Sequence, residues 1–293
     1  MNAVQVRAQA CFLRACELDV AVRKPGNVSV ASPGHGMHAA LFSASAHAAA
    51  APLFRAGARV GERIEAAVAA SWAVAGCNTN LGILLLCAPL AVACERSNAA
   101  PAPARLRQAL GTVLAELDLA DARAAFRAIA RANPGGLGSA PMQDVRAAPS
   151  LGLRAVMALA ADRDLIARQY RDGFDDLFEL TLPALPPLFS LGAGGPDAAT
   201  ISAVQRVYLT LLATLPDSHI VRKHGAAVAQ NVMAAAQRFH ALATQGGALD
   251  ADPAFVAWDE ELKAQHINPG TTADLTVATL LLAGVTSAPA TEL

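Results

Sequence analysis

No charged residue occurs between Glu65 and Glu95. A stretch this apolar must either lie in a bilayer or be enclosed by the rest of the chain. Asn78-Thr79-Asn80 interrupts it near the middle, and Pro89 stands near its end. Each half is therefore too short to cross ~30 Å of hydrocarbon. Two buried helices meeting at a polar turn are expected instead, and the remaining sequence has to build a large core around them. With 54% apolar and 16% charged residues, the chain can do so and is not of disordered composition.

The charge balance narrows the function. Lys and Arg number 23 against 24 Asp and Glu, a formal net charge of −1. Without a basic block, the many phosphate contacts of a general nucleic-acid binder are missing. An aromatic content of 4% also removes the stacking platform for single strands. The five cysteines (Cys11, Cys16, Cys77, Cys87, Cys94) form no CxxC pair and read as buried small hydrophobes in a reducing compartment. The first residues, MNAVQVRAQACFLRACELDV, mix Arg and Glu into an apolar pattern and do not read as a signal peptide. A cytoplasmic protein with no membrane segment is expected, and a homodimer is compatible with the sequence.

Alanine and leucine dominate, and apolar residues recur at spacings of three and four over Gly61–Ala75, Ala104–Leu117, Ala155–Tyr170, Ala198–Leu215, Ala226–Thr244 and Thr272–Ala283. Alternating β-branched runs are nearly absent. The expected fold is an all-α bundle of about ten or more helices. No linker divides the chain, so one domain over residues 1–293 is expected. Asp197 is placed to cap the helix after it, and Thr271 or Thr272 the helix that begins near Ala273.

The breakers carry more information than the helices. Pro, Gly and Asn cluster at Lys24–Asn27, Ser32–Gly36, Asn133–Gly138, Gly192–Pro196 and Asn268–Gly270, mostly just before a helical pattern. Such a turn is ordinarily a plain helix connection. Repeated with polar residues attached, it also offers first-turn amides to phosphate. Arg23-Lys24-Pro25-Gly26-Asn27-Val28-Ser29 puts two cations before a Pro-Gly turn, a candidate phosphate cradle, though without the spacing of a Walker loop. Asn78, Thr79 and Asn80 inside the apolar stretch need partners, either as helix caps or as the lining of a pocket. Asp217-Ser218-His219, Arg222-Lys223-His224-Gly225 and Asn268-Pro269-Gly270-Thr271-Thr272-Ala273-Asp274 complete the candidates. The histidines show no zinc-ligand spacing.

Lys24-Pro25-Gly26-Asn27-Val28, Phe42-Ser43-Ala44-Ser45-Ala46, Asn78-Thr79-Asn80-Leu81-Gly82-Ile83, Asp217-Ser218-His219-Ile220 through Gly225, and Asn268 through Leu275 together resemble the triphosphoribosyl-dephospho-CoA synthase family. The blocks agree in order from about Glu17 to Ala283. The resemblance implies an all-α fold and an enzyme that joins the ribose of ATP to the 2′-hydroxyl of 3′-dephospho-CoA, expelling adenine and keeping the triphosphate. It further implies ATP as substrate, a phosphorylated acceptor, and Mg²⁺ to neutralise the triphosphate. Carried over by position, Lys24, Gly26, Asn27 and Ser29 would hold phosphate. Asn78, Thr79, Asn80 and Gly82 would orient ribose or phosphate oxygens. Asp217 and Asp274 would be the catalytic or Mg²⁺-holding carboxylates. His219, Arg222, Lys223, Asn268, Gly270, Thr271 and Thr272 would complete substrate binding.

The chain departs from the CoA-modifying members at three places. Their Leu-Val-Asp after the first turn is Asn27-Val28-Ser29 here, their His-x-Asp-Met is Gly34-His35-Gly36-Met37, and their Asn-Thr-His-Lys-Gly is Asn78-Thr79-Asn80-Leu81-Gly82. Two carboxylates, an imidazole and an ammonium are thereby replaced. In these forms, in Asn133-Pro134-Gly135-Gly136-Leu137-Gly138 with Asp144, and in Asp164 to Tyr170, the chain resembles an archaeal and methylotroph-type branch. Two further readings follow from the losses: a transfer or condensing enzyme on another phosphorylated precursor of a C1-carrier cofactor, and a non-catalytic nucleotide-binding helical protein.

Overall fold

The computed structural model describes residues 2–97, 100–135, 142–186, 189–192 and 194–287. Among them are thirteen α-helices: α1 (Ala3–Ala21), α2 (Ala39–Leu53), α3 (Val60–Ala75), α4 (Leu81–Glu95), α5 (Pro103–Ala115), α6 (Leu119–Ala132), α7 (Leu153–Ala158), α8 (Leu165–Asp172), α9 (Ala198–Thr214), α10 (Ser218–His224), α11 (Ala226–Thr244), α12 (Pro253–Ala264) and α13 (Gly270–Thr286). A π-helical turn, Asp176–Thr181, follows α8. The described residues form no sheet; their one β-type pairing is the Gly34–Met37 bridge. The all-α expectation holds.

The uncharged stretch becomes α3, the turn at Gly76–Asn80, and α4, as its interruption by Asn-Thr-Asn required. Every residue from Leu81 to Cys94 is buried. Helix α13 is buried almost as completely and packs against α4, α1 and α9. A helix apolar on all sides is stable in water only when other helices enclose it. Pro89 sits inside α4 and cannot donate to the Leu85 carbonyl one turn back. The buried Tyr170 hydroxyl donates to that oxygen at 2.6 Å, so the proline both frees an acceptor and fixes α8 against α4. A second apolar cluster joins α9, α10, α11 and α12 through Tyr208, Leu212, Phe239, Phe255 and Trp258, with Phe239 stacked on Trp258 at 5.0 Å. Ala273 brings the start of α13 into this second cluster, while Leu275 and the residues beyond it belong to the first.

Two expectations about helix ends need correcting. The Ala155–Tyr170 pattern is not one helix: α7 ends at Ala158, and α8 begins after Asp164, whose carboxylate accepts from the Ile166 and Ala167 amides. Neither Thr271 nor Thr272 caps α13, which starts one residue earlier after Pro269. Asp197 does cap α9, accepting from Thr200 at 2.8 Å. Gly136, Leu137 and Gly138 of the Asn133 turn, and Ala193 of the Gly192 turn, lie outside the described residues. The five cysteines are free. No single described helix is long and apolar enough to cross a membrane. The bent pair α9 and α10 passes that test together, with a 54° break between its halves.

Candidate active site

The first turns of α4, α8, α10 and α13 converge on one cavity of about 510 Å³. One wall is apolar and comes from α4, α6, α7 and the segment at Met142–Val145, including Leu85, Phe126, Val156 and Met157. Polar groups complete the lining. Of the residues expected from sequence, Asn78, Gly82, His219, Arg222, Thr271 and Asp274 line the cavity, joined by Asp144, Arg163 and Asp164.

Asp274 is the centre of the polar side. Its carboxyl group makes no hydrogen bond with any described residue, and it lies directly on the first turn of α4. A Cβ at Gly82 would stand 2.0 Å from Asp274 Oδ2, so only glycine lets the carboxyl reach this place. Burial, together with the charges of Asp19 and Asp217, pushes its pKa well above the ordinary carboxylate range, and Arg222 opposes the shift. Asp274 is therefore held towards the neutral acid, next to the electropositive end of a helix.

His219 is shifted the opposite way. Burial and the neighbouring cations Arg222 and Lys223, with His35 and His224, lower its pKa to about 4. The imidazole is neutral at pH 7, and its buried Nε2 lacks a hydrogen-bond partner. Its ring lies on Gly270. Arg222 donates to Asp164 Oδ2 at 2.7 Å, while Oδ1 of the same carboxylate caps α8. Asn78 Oδ1 accepts from the Leu81 amide at 3.1 Å, so this side chain both caps α4 and faces the cavity.

Asp217 lies behind the cavity wall, fully buried. Its Oδ1 accepts from the His219 and Ile220 amides at 2.8 and 3.0 Å, and its Oδ2 from the Thr272 amide and hydroxyl at 2.7 and 2.8 Å. Burial raises its pKa, and these bonds hold it down. Four donors on one carboxylate clamp α10 to α13 and fix His219 relative to Asp274. Thr271 adds a second tie, accepting from Ser218 Oγ at 3.0 Å.

The Lys24 turn is a separate, closed network. Lys24 is fully buried, and its ammonium meets the Asp19 carbonyl, Asp19 Oδ1 at 3.0 Å and Asn27 Oδ1 at 2.9 Å. The Gly26 amide, expected to be open for phosphate, donates to Asp259 Oδ1 at 2.9 Å. Gly26 has φ +79°, and a Cβ there would stand 2.8 Å from the Ile267 carbonyl, so the turn is packed beneath the α12–α13 connection. Asn27 Nδ2 donates to Asn268 Oδ1 at 3.1 Å. Ser29 is buried here too. Thr79 and Asn80 line a much smaller hollow beside Trp72, where Asn80 Oδ1 accepts from Ser71. Lys24, Gly26, Asn27, Ser29, Thr79, Asn80, Asp217, Lys223, Asn268, Gly270 and Thr272 are thus not among the cavity-lining residues. Of these, Lys223 lies beside the cavity, its alkyl chain on the cavity residue Gly135.

The donor set does not form a resident metal site. Both Asp217 oxygens are taken by N–H and O–H donors, and no group of three His, Cys, Asp or Glu able to hold a metal occurs among the described residues. The expected Asp217–Asp274 pair therefore does not fit Mg²⁺.

A helical fold whose cavity is lined by a carboxyl held towards the neutral acid, a neutral imidazole and two guanidinium groups has the group types that an enzyme acting on a phosphorylated small molecule uses. More particularly, the chain belongs to the ATP:dephospho-CoA triphosphoribosyl transferase family (CitG), whose model matches residues 5–291. It is a transferase of the triphosphoribosyl-dephospho-CoA synthase type, and the match favours this over the C1-cofactor and non-catalytic readings. Its fold is similar to a crystal structure from Archaeoglobus fulgidus provisionally assigned as a triphosphoribosyl-dephospho-CoA synthase. The TM-score is 0.63 and the identity 24%, over 84% of this chain and 98% of the other. No curated protein sequence matches the chain.

Proposed function

We propose that this transferase moves the triphosphoribosyl group of ATP to a hydroxyl of 3′-dephospho-CoA, with Asp274 and His219 as its acid and base. The observation that carries the reading is the Asp274 carboxyl, without a hydrogen bond to any described residue, in a cavity that a neutral imidazole also lines. In the reaction the acceptor oxygen bonds to the ribose carbon, the ribose–adenine bond breaks, and adenine leaves with the bonding electrons. Asp274, held protonated, gives its proton to the departing base. His219 Nε2 takes the proton of the acceptor hydroxyl, and return of that proton to Asp274 resets the site. Positive charge developing on the ribose falls beside the carboxylate that Asp274 becomes.

Asn78 orients a ribose or phosphate oxygen, and Arg222 and Lys223 lie towards the phosphates. Asp217 and Thr272 position α10 against α13 without touching substrate, and Thr271 adds to that tie from the cavity lining. Lys24, Gly26, Asn27 and Asn268 set the frame behind them. Magnesium enters with the triphosphate as part of the substrate complex, since Mg²⁺ is commonly held by substrate phosphates and few protein ligands. The test is to incubate the protein with ATP, Mg²⁺ and 3′-dephospho-CoA and to separate the products by chromatography. Free adenine and a triphosphoribosylated acceptor are expected in equal amounts; ATP left intact with every divalent metal tried would overturn the reading.

A further inference from the structure

We infer that Arg163 is a phosphate-binding residue of the cavity, resting on the transferase reading only for the name of the phosphorylated ligand. Arg163 lies in the turn between α7 and α8, which no motif of the sequence marks. Its backbone is pinned: the Arg163 and Asp164 amides both donate to the Ala160 carbonyl at 3.0 Å, and Asp164 caps α8. Its side chain is exposed and lines the cavity. It makes no hydrogen bond or ion pair with any described residue.

Charge compensation singles it out. The cavity is lined by two arginines and three aspartates. Arg222 and Asp164 neutralise each other at 2.7 Å. Asp144 has its own contacts, including an oxygen 4.0 Å from Arg146. Asp274 carries no bonded cation among the described residues and lies on the α4 first turn. Arg163 is left as the cation without a carboxylate among the cavity residues described. Lys223, exposed and also without an ion pair among the described residues, stands at the rim by Gly135. A planar fork of donors on a rigid turn, unmatched by any protein anion, suits a phosphate chain better than an isolated hydroxyl or amide. That chemistry is shared by the triphosphate of the donor and the diphosphate of the acceptor.

Calorimetric titration of the whole protein with inorganic tripolyphosphate tests the assignment without turnover. Arg163→Ala should weaken binding about tenfold or more, the size of one charge-assisted contact, while Arg163→Lys keeps the charge and loses only part. Because the residue is exposed, both variants should keep the wild-type circular dichroism. Steady-state kinetics then separate the sources: a raised KM for ATP alone assigns the donor triphosphate, and a raised KM for dephospho-CoA alone the acceptor. Unchanged tripolyphosphate affinity in Arg163→Ala, or no binding by the wild type, overturns the inference. Binding that depends on Arg163 in a protein that releases no adenine leaves the inference standing and removes the transferase reading instead.

Discussion

Two acidic centres, one buried and one on the cavity lining, lie close together in this molecule, and they are built on opposite principles. Around Asp19 and Lys24 the main polar groups have partners within the protein, ammonium with carboxylate, amide with Asp259, asparagine with asparagine, with the Ser29 hydroxyl an exception. Around Asp274 and His219 the equivalent groups are left open. The carboxyl, on the cavity lining, has no hydrogen bond with any described residue, and the buried imidazole Nε2 has none either. A closed polar network rigidifies a fold, whereas unsatisfied groups facing a cavity cost stability and persist where a ligand completes them. Both centres grow from Pro-Gly turns with charged neighbours and look alike as sequence.

Replacement of Asp274 by Asn is the strongest way to break this contrast. The amide fills the same space but cannot give up a proton, so kcat should fall by about 10²- to 10⁴-fold, the usual range for a positioned acid. The protein should become more stable at neutral pH. Since the folded-state pKa is raised, the group favours folding below the unfolded value, and this contribution is lost as pH rises through the folded one. Thermal melts at pH 7 alongside single-turnover adenine release give both readings. A destabilised variant with wild-type kcat would place Asp274 with the structural centre.

Lys24→Met should behave in the reverse manner. Removing one partner of a buried ion pair leaves the other charge uncompensated, a loss of about 3–5 kcal/mol. The purified folded fraction should keep its KM values and a kcat within about threefold of wild type, because the Lys24 ammonium does not reach the cavity. Denaturant unfolding and initial rates measure the two effects. A selective rise in the KM for ATP without loss of stability would return Lys24 to the phosphate site.

The different fates of these motifs explain what could be read in advance. Helices were legible because alanine, leucine and three-to-four spacing set them locally, and the polar break at Asn78–Asn80 forced α3 and α4 apart. Asn78, Gly82 and Asp274 were legible as motif positions. That Gly82 exists to admit the Asp274 carboxyl was not, because the two lie far apart in the chain. Lys24 was misplaced because its partners, not its neighbours in sequence, decide whether an ammonium is free. Arg163 gave no signal, although Asp164 before Leu165 was a readable cap that would have divided the Ala155–Tyr170 pattern.

Between the two centres stands Asp217, and Thr272→Val probes it. The variant removes one of the four bonds to the carboxylate, the hydroxyl at 2.8 Å, while keeping the side-chain shape. A hydrogen bond to a charged group contributes about 1.5–3 kcal/mol, so the stability loss should fall in that range. If the clamp sets the distance between His219 and Asp274, kcat falls with little change in KM, and Thr272→Ser restores most of it. Equal losses with Ser and Val would show that only packing is involved.

The smallest expected effect concerns acid stability. The His219 pKa is lowered from its ordinary value to about 4, so between that pH and about 6.5 the unfolded chain binds a proton the folded one does not. Stability is therefore lost as pH falls across this window. The raised carboxylates act with the opposite sign, but they are common to wild type and to a His219→Gln variant and largely cancel in the difference. The variant should lose less stability than wild type between pH 6.5 and 4, and match its slope above pH 7. The charged and titratable groups acting on His219 in that window are Arg222, Lys223 and His224 from its own helix and His35 from the loop before α2. The His35 imidazole is itself lowered from its ordinary value, chiefly by burial, so it acts on the acid limb with the same sign. Melting curves of a His35→Gln variant therefore serve as the control. Should that control flatten the acid limb while His219→Gln does not, the folded state does not lower the His219 pKa, and the imidazole loses its assignment as the neutral base for the acceptor hydroxyl.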